Sequence, residues 1–231
     1  MEIKELIDIE KAIQNKIANN YDKNEQDREP IYDGIVDIET YFNSPIKIMW
    51  VLKEPYEQEA GKGGGWKLGE DLLDKETRHK VILRKLPSMQ VMTYILYGVF
   101  YNKLFEEMNN IRQDPEMSEV LTHIAWINVN KMPSRTYSKS YSLWNEYNIW
   151  RNILLDQINN YKSDVIIFGN TFGYFKNDLV EKNTKIYAKE NIGFFTKNNQ
   201  LFIDAYHPAQ LNVKRQIYVN EIIKTIKEFK K

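Results

Sequence analysis

The chain has 231 residues, 42% of them hydrophobic, and its 32 basic and 32 acidic residues leave no net formal charge. That length suffices for one domain with a sizeable core. The chain contains no cysteine, which excludes disulfides, thiolate zinc sites and iron–sulfur clusters and makes the cytoplasm the expected location. The longest apolar stretch, residues 91–100, falls short of the roughly 20 residues that span a bilayer, and the charged N-terminus is unlike a secretory signal.

The charges are unevenly distributed along the chain. Residues 1–40 carry eleven acids and five bases, so residues 41–231 carry the compensating excess of bases. The net charge of zero argues against a strongly basic nucleic-acid binder. The excess of bases in residues 41–231 still allows a site that binds phosphates.

Hydrophobic spacing predicts helices and strands that alternate along the chain. A polar loop is expected at 20–32 and a glycine-rich loop at 59–69, and the pattern of 184–199 fits short strands or irregular structure. A helical stretch is expected to break near Pro87. The predicted helices cover 2–19, 89–108, 142–161 and 219–229, and the predicted strands cover 46–54, 123–130, 164–170 and 201–206.

This alternation predicts an α/β fold, a three-layer α/β/α sandwich with a central, mainly parallel four-stranded sheet. Residues 1–231 are expected to form a single domain, with 1–40 as an acidic, helical N-terminal extension packed on it. In such sheets ligands bind outside the carboxyl ends of the strands, so the residues after each strand are the candidates for function.

Several common site motifs are missing from the sequence. The glycine-rich run lacks the order of a phosphate-binding P-loop, and FGNTFG does not match the dinucleotide fingerprint. No G-x-S-x-G segment occurs, and the three histidines include no H-x-x-x-H pair. No metal and no cofactor are therefore predicted.

Three short motifs follow predicted strands in chain order. They are Glu54-Pro55-Tyr56, INVNKMPSR at 127–135 and HPAQL at 207–211. Together with the VIIFGNTF strand between them, these motifs resemble the uracil-DNA glycosylase superfamily over roughly residues 44–230. There a first strand ends in an acidic residue or Asn before Pro, a second in Asn, and a last in H-P-[SA]-x-L. The resemblance implies a uracil-DNA glycosylase-like fold that acts without a metal or cofactor.

The resemblance also assigns roles at the reacting bond. Glu54, which stands where the family has Asp or Asn, would orient the attacking water and stabilise the sugar cation, and His207 would donate to uracil O2. Asn128 would read the uracil edge, with Asn130 as an alternative if the strand ends later. Tyr56 would exclude the methyl group of thymine. Purely structural roles for Glu54 (a cap or ion pair) and His207 (support of the proline turn) stay open.

The remaining assignments concern contacts with DNA. Leu211 would fill the gap left by a flipped nucleotide, unless it is a buried leucine that starts the last helix. Trp66 would stack on the base, unless it packs on the domain. Four basic residues would contact phosphates: Lys131, Arg135, Lys214 and Arg215.

The sequence thus predicts a monomeric DNA glycosylase that removes uracil or a related deaminated base from single- or double-stranded DNA and has no membrane partner. One alternative is a catalytically inactive relative that binds nucleic acid, a free base or a nucleotide. Another is a doubly wound enzyme acting on small nucleotides, with Lys131 and Arg135 as phosphate ligands.

Overall fold

A computed structural model describes residues 2–21, 28–55, 62–84, 87–134 and 140–230, without the side chains of 140–142. Its helices are α1 (Ile3–Asn19), α2 (Ile38–Asn43), α3 (Glu70–Leu73), α4 (Lys75–Leu83), α5 (Pro87–Phe100), α6 (Ser140–Asn160), α7 (Phe172–Leu179) and α8 (Arg215–Phe229), with 3-10 helices at Phe105–Glu107 and Pro115–His123. Its strands are β1 (Gly34–Ile35), β2 (Ile48–Leu52), β3 (Ile124–Asn128), β4 (Val165–Gly169), β5 (Tyr187–Ala188), β6 (Gly193–Lys197) and β7 (Gln200–Ala205). Among these helices none is long and apolar enough to cross a bilayer.

The strands form one mixed sheet in the order β1-β3-β2-β4-β7-β6-β5. The four predicted strands are confirmed as β2, β3, β4 and β7, which are neighbours and pair in parallel. The prediction of a four-stranded sheet is wrong, because β1 on one side and β6 and β5 on the other extend it to seven strands with antiparallel pairings. Residues Asn198 and Asn199 both have positive φ, which a tight two-residue turn between β6 and β7 requires.

Helices cover both faces of this sheet. Alternate strand residues point to opposite sides, so Trp50 enters a core with α5 and α8, whereas Val51 enters a core with α1, α6 and α7. Both side chains are fully buried. The α/β prediction with helices on either side of the sheet therefore holds, with a larger and mixed sheet at its centre.

Helix α5 ends earlier than predicted, at Phe100 rather than residue 108. Asn102 adopts a left-handed conformation with φ of 56°, and the Lys103 N–H donates to the Gly98 carbonyl at 3.0 Å. This bond satisfies a carbonyl of the last helical turn and reverses the chain. Hydrophobic residues continue the helical spacing past this point, which is why the sequence pattern extends too far.

Residues 28–36, here called the N-terminal connector, are not the simple loop or helical extension that the sequence predicts. The Ile31 N–H donates to the Lys131 carbonyl at 2.7 Å, and the Val36 N–H donates to the Ile124 carbonyl at 3.0 Å. On its other side the connector pairs with the glycine-rich loop, where the Tyr32 N–H donates to the Trp66 carbonyl at 2.9 Å. The connector is thus built into the domain.

The backbone at Gly64 shows why that loop requires glycine. Its φ is +98°, and a Cβ there would lie 1.8 Å from the Glu29 carbonyl oxygen. Only glycine permits this approach of two backbones. The glycine-rich run is therefore required for packing on the connector.

Replacement of Gly64 by alanine is expected to lower the free energy of unfolding by at least about 2 kcal/mol, because it adds both a steric clash and backbone strain. The measurement is urea denaturation followed by circular dichroism. Gly173→Ala is the matched control, since a Cβ at this exposed helical position has no neighbour within 4 Å. Gly173→Ala should raise the free energy of unfolding by no more than about 1 kcal/mol. Equal effects of the two substitutions would contradict this account of the loop.

Candidate functional site

The carboxyl ends of the four parallel strands lie side by side in the order β3, β2, β4 and β7. Chain order reverses between β2 and β4, and such a switch point opens a crevice in which ligands bind. Asn128 ends β3, Glu54 follows β2 and His207 follows β7. At about 4.8 Å per strand pair, β3 and β7 are ~14 Å apart, with β2 and β4 between them. The three motifs predicted to form one site therefore share one edge of the sheet.

Gly169 brings the central strand ends into contact. A Cβ on this residue would lie 2.5 Å from Leu52 Cδ2, 3.1 Å from Pro208 Cδ and 3.8 Å from His207 Cα. The next residue, Asn170, has φ of 61° and donates its N–H to the Ala205 carbonyl at 2.7 Å. The absence of a side chain at Gly169 thus lets the His207 turn lie against the end of β2.

Asn128 presents a buried amide at this edge. It aligns with Leu52 across β2 and β3 and is 1% exposed. Its backbone N–H donates to Asp33 Oδ2 at 2.6 Å, but its side-chain Nδ2 has no acceptor among the described residues. A buried donor without an acceptor is costly, so its presence calls for an explanation such as a ligand.

Asn130, the alternative base reader, uses both ends of its amide within its own loop. Its Oδ1 accepts from the Met132 N–H at 2.9 Å, and its Nδ2 donates to Ser134 Oγ at 3.4 Å. This amide stabilises the turn after β3. Asn128 is therefore the better candidate to read a ligand.

Lys131 takes part in a buried ion pair. It is fully buried, and its Nζ lies 2.6 Å and 2.8 Å from the two carboxylate oxygens of Asp33 and 2.9 Å from Gln157 Oε1. Burial lowers the pKa of Lys131, and the Asp33 carboxylate opposes that shift. The prediction that Lys131 contacts a DNA phosphate is wrong, because the side chain is fully buried and its charge is paired with Asp33 inside the domain.

His207 has a defined hydrogen-bonding arrangement. The Ala209 N–H donates to His207 Nδ1 at 3.2 Å, so the neutral ring carries its proton on Nε2. Burial, and then the positive charge of Lys53, lower the pKa of His207 below its usual range. The neutral imidazole therefore offers Nε2–H as a donor at neutral pH.

Glu54 is partly buried and lies near an aromatic residue that the sequence analysis did not identify. Burial, and then the Glu54 carboxylate, raise the pKa of the Tyr174 phenol. Tyr174 lies in the first turn of α7, and its ring is 5.0 Å from that of Trp144 on α6. Helix α7 was not predicted, so only its position directly after β4 could have indicated Tyr174, whereas Trp144 lies in the predicted helix 142–161.

The loop between β7 and α8 carries exposed residues. Leu211 is 95% exposed, and Lys214 and Arg215 are also exposed. Such a leucine is available to a partner, and the alternative that it is buried at the start of the last helix is wrong. This fits the geometry that a wedge between bases requires.

The remaining predicted contacts are Trp66, Tyr56 and Arg135. Trp66 is partly buried, with its carbonyl held by Tyr32. Tyr56 and Arg135 lie outside the described residues. In the described part of the chain no cluster of three or more His, Asp or Glu side chains is placed to hold a metal ion.

A cavity of about 890 Å³ lies elsewhere, between α1 and the connector, and its lining includes Glu10, Gln14 and Asp37. Burial raises the pKa of Glu10 to about 7. The residues that line this cavity include none of the polar groups at the strand ends. The candidate site is instead the carboxyl edge, where an amide ends β3, a carboxylate follows β2 and an imidazole follows β7.

The chain matches no known protein-family model and no curated protein sequence. The geometry of this edge is therefore the basis for a functional assignment. An amide donor and acceptor can read a base, an imidazole N–H can stabilise a developing anion, and a carboxylate can orient water.

Removal of either partner of the buried Asp33–Lys131 pair is expected to be strongly destabilising. Asp33→Asn or Lys131→Met alone should cost about 3–5 kcal/mol, because each leaves a buried group without its partner. The double substitution should cost clearly less than the two single costs together. Urea denaturation of the four proteins measures the coupling.

The exposed ion pair between Lys75 and Glu116 provides the control. Lys75→Met should cost far less than Lys131→Met, since water screens that pair. If Lys131→Met were no more costly than Lys75→Met, the structural role of the buried pair would be refuted.

The His207 ring is expected to titrate below pH 6.5 and to carry its proton on Nε2 at pH 7.5. The measurement is a two-dimensional ¹H–¹⁵N spectrum of the imidazoles over a pH series, with the His207→Asn variant for assignment. A proton on Nδ1, or a pKa above the ordinary value, would contradict the arrangement described.

Proposed function

We propose that this protein is a uracil-DNA glycosylase-like enzyme that hydrolyses the N-glycosidic bond of uracil or a related deaminated base in DNA. The observation that carries the proposal is the buried Asn128 amide, whose Nδ2 has no acceptor among the described residues and which shares a sheet edge with His207. The motif resemblance supports the same reading, because Asn128, Glu54 and His207 occupy the matching positions.

Asn128 accounts for base selection in this proposal. Its Nδ2 donates to uracil O4, and its Oδ1 accepts from uracil N3–H. Cytosine presents a donor where uracil has O4 and an acceptor at N3, so both bonds are lost. A site that leaves such polar groups unpaired rejects the wrong base strongly.

Glu54 and His207 act in the step that breaks the N-glycosidic bond. The C1′–N1 bond breaks and its electrons pass to the base, where His207 Nε2–H donates to O2 as negative charge grows there. Glu54 faces the cationic sugar and orients a water molecule. The water oxygen bonds to C1′, and Glu54 takes its proton.

A base inside a duplex cannot reach such a site, so the nucleotide must leave the stack. Leu211 is suited to fill the gap, and the exposed Lys214 and Arg215 follow it within four residues. Asn128 is 1% exposed, so base binding also has to displace the groups that cover it.

Incubation with uracil-containing single- and double-stranded oligonucleotides, followed by alkaline cleavage of abasic sites, tests the proposal. Glu54→Gln, Asn128→Ala and His207→Asn should each lower the excision rate by about 100-fold or more, because each removes an interaction in the transition state. The same chemical changes at distant positions, Glu190→Gln and His79→Asn, should leave the rate unchanged.

Two outcomes would overturn the proposal. One is binding of uracil-containing DNA without release of the base, which would indicate an inactive binding protein. The other is excision at an unchanged rate in the Glu54→Gln and His207→Asn variants. A thermal shift by mononucleotides alone would instead favour an enzyme of small nucleotides.

A further inference from the structure

Three aromatic side chains, here called the aromatic row, lie along the carboxyl edge of the sheet. They are Trp144 near the start of α6, Tyr174 in the first turn of α7 and Tyr206 directly after β7. Trp144 is 43% exposed and Tyr206 is 41% exposed. The rings of Trp144 and Tyr174 meet edge to face at 72°. Exposed rings beside a candidate site are potential stacking surfaces.

Two of these residues, Trp144 and Tyr174, lie on the same side of the sheet. Helices α6 and α7 pack on the face that contains Phe168 and Phe202. Tyr206 directly follows Ala205, the last residue of β7. The starts of α6 and α7 and the end of β7 all lie at the carboxyl edge of the sheet, so the row lies beside the strand ends of the candidate site.

The charges around the row suit a phosphate backbone. Lys53 directly precedes Glu54, and its charge acts on His207. Lys214 and Arg215 lie exposed beyond His207. The Asp178 carboxylate of α7 is paired with Arg151 and so adds little repulsion. A groove that combines cations with aromatic rings is typical of proteins that bind single-stranded nucleic acids.

Duplex and single-stranded DNA differ in whether the faces of their bases are accessible to the aromatic row. In a duplex every base is stacked between its neighbours, so its faces are covered. In a single strand the faces of bases on either side of an extruded nucleotide are available to aromatic rings. We infer that the protein prefers single-stranded DNA and that Trp144 and Tyr206 stack on bases flanking the excised one. This inference rests on the proposed glycosylase function for the identity of the nucleic acid.

Binding is measured separately from excision, with a fluorescently labelled thymidine oligonucleotide that contains no uracil. Fluorescence anisotropy at one salt concentration compares this strand with the same strand in a duplex. The wild-type protein should bind the single strand at least about tenfold more tightly. Trp144→Ala and Tyr206→Ala should each weaken single-strand binding about tenfold, and the duplex affinity should change little.

Tyr101 is the matched control. It is 58% exposed and follows α5, whose last residue Phe100 contacts His123 just before β3, at the opposite edge of the sheet. Tyr101→Ala should bind single strands as the wild type does. The conservative variants Trp144→Phe and Tyr206→Phe should retain most of the affinity, and thermal melting checks that every variant is folded.

The outcomes distinguish this inference from the proposed function. Equal affinity for single strand and duplex, or unchanged binding by folded Trp144→Ala and Tyr206→Ala variants, would overturn the inference even if uracil is excised. Single-strand binding that depends on the row, without any release of uracil, would support the inference and overturn the proposed catalysis.

Discussion

The buried ion pair between Asp33 and Lys131 constrains the region around the carboxyl end of β3. It joins the N-terminal connector to the loop after β3, across 98 positions of sequence. Isolated charges cannot be buried at reasonable cost, but here Gln157 and the Asn128 backbone N–H complete the hydrogen bonding of the pair. The same carboxylate that neutralises Lys131 therefore fixes the end of β3.

The candidate site follows from this constraint together with the geometry of parallel strands. Because the strand ends are fixed side by side, the residues after them lie along one edge of the sheet. Gly169 allows the turn at His207 to lie against β2, and the Ala209 N–H fixes the tautomer of the His207 ring. Asn128 ends a strand of the sheet, and Glu54 and His207 lie in the loops directly after two other strands, so the positions of all three follow from the packing of the strand ends.

The sequence predicted those parts of the fold that carry a long, regular hydrophobic pattern. The four parallel strands and α1 were located to within a few residues, because the strands are continuous apolar runs and α1 repeats its buried residues Leu6, Ile13 and Ile17 at helical spacing. The strands β1 and β5 have two residues each and carry no measurable period. The burial of Lys131 could not be predicted, because its partner Asp33 lies in a segment that looked like surface. The two asparagines at 198–199 were a turn signal that could have located β6 and β7 as a hairpin.

We propose that the carboxyl edge holds a nucleobase through the side chain of Asn128. The most direct measurement is a titration of ¹⁵N-labelled protein with free uracil, following side-chain amide and imidazole signals. The account predicts that the Asn128 Nδ2 protons and the His207 Nε2 proton shift together and saturate with one dissociation constant. Saturable shifts confined to the cavity beside α1, with both of these signals unmoved, would contradict it.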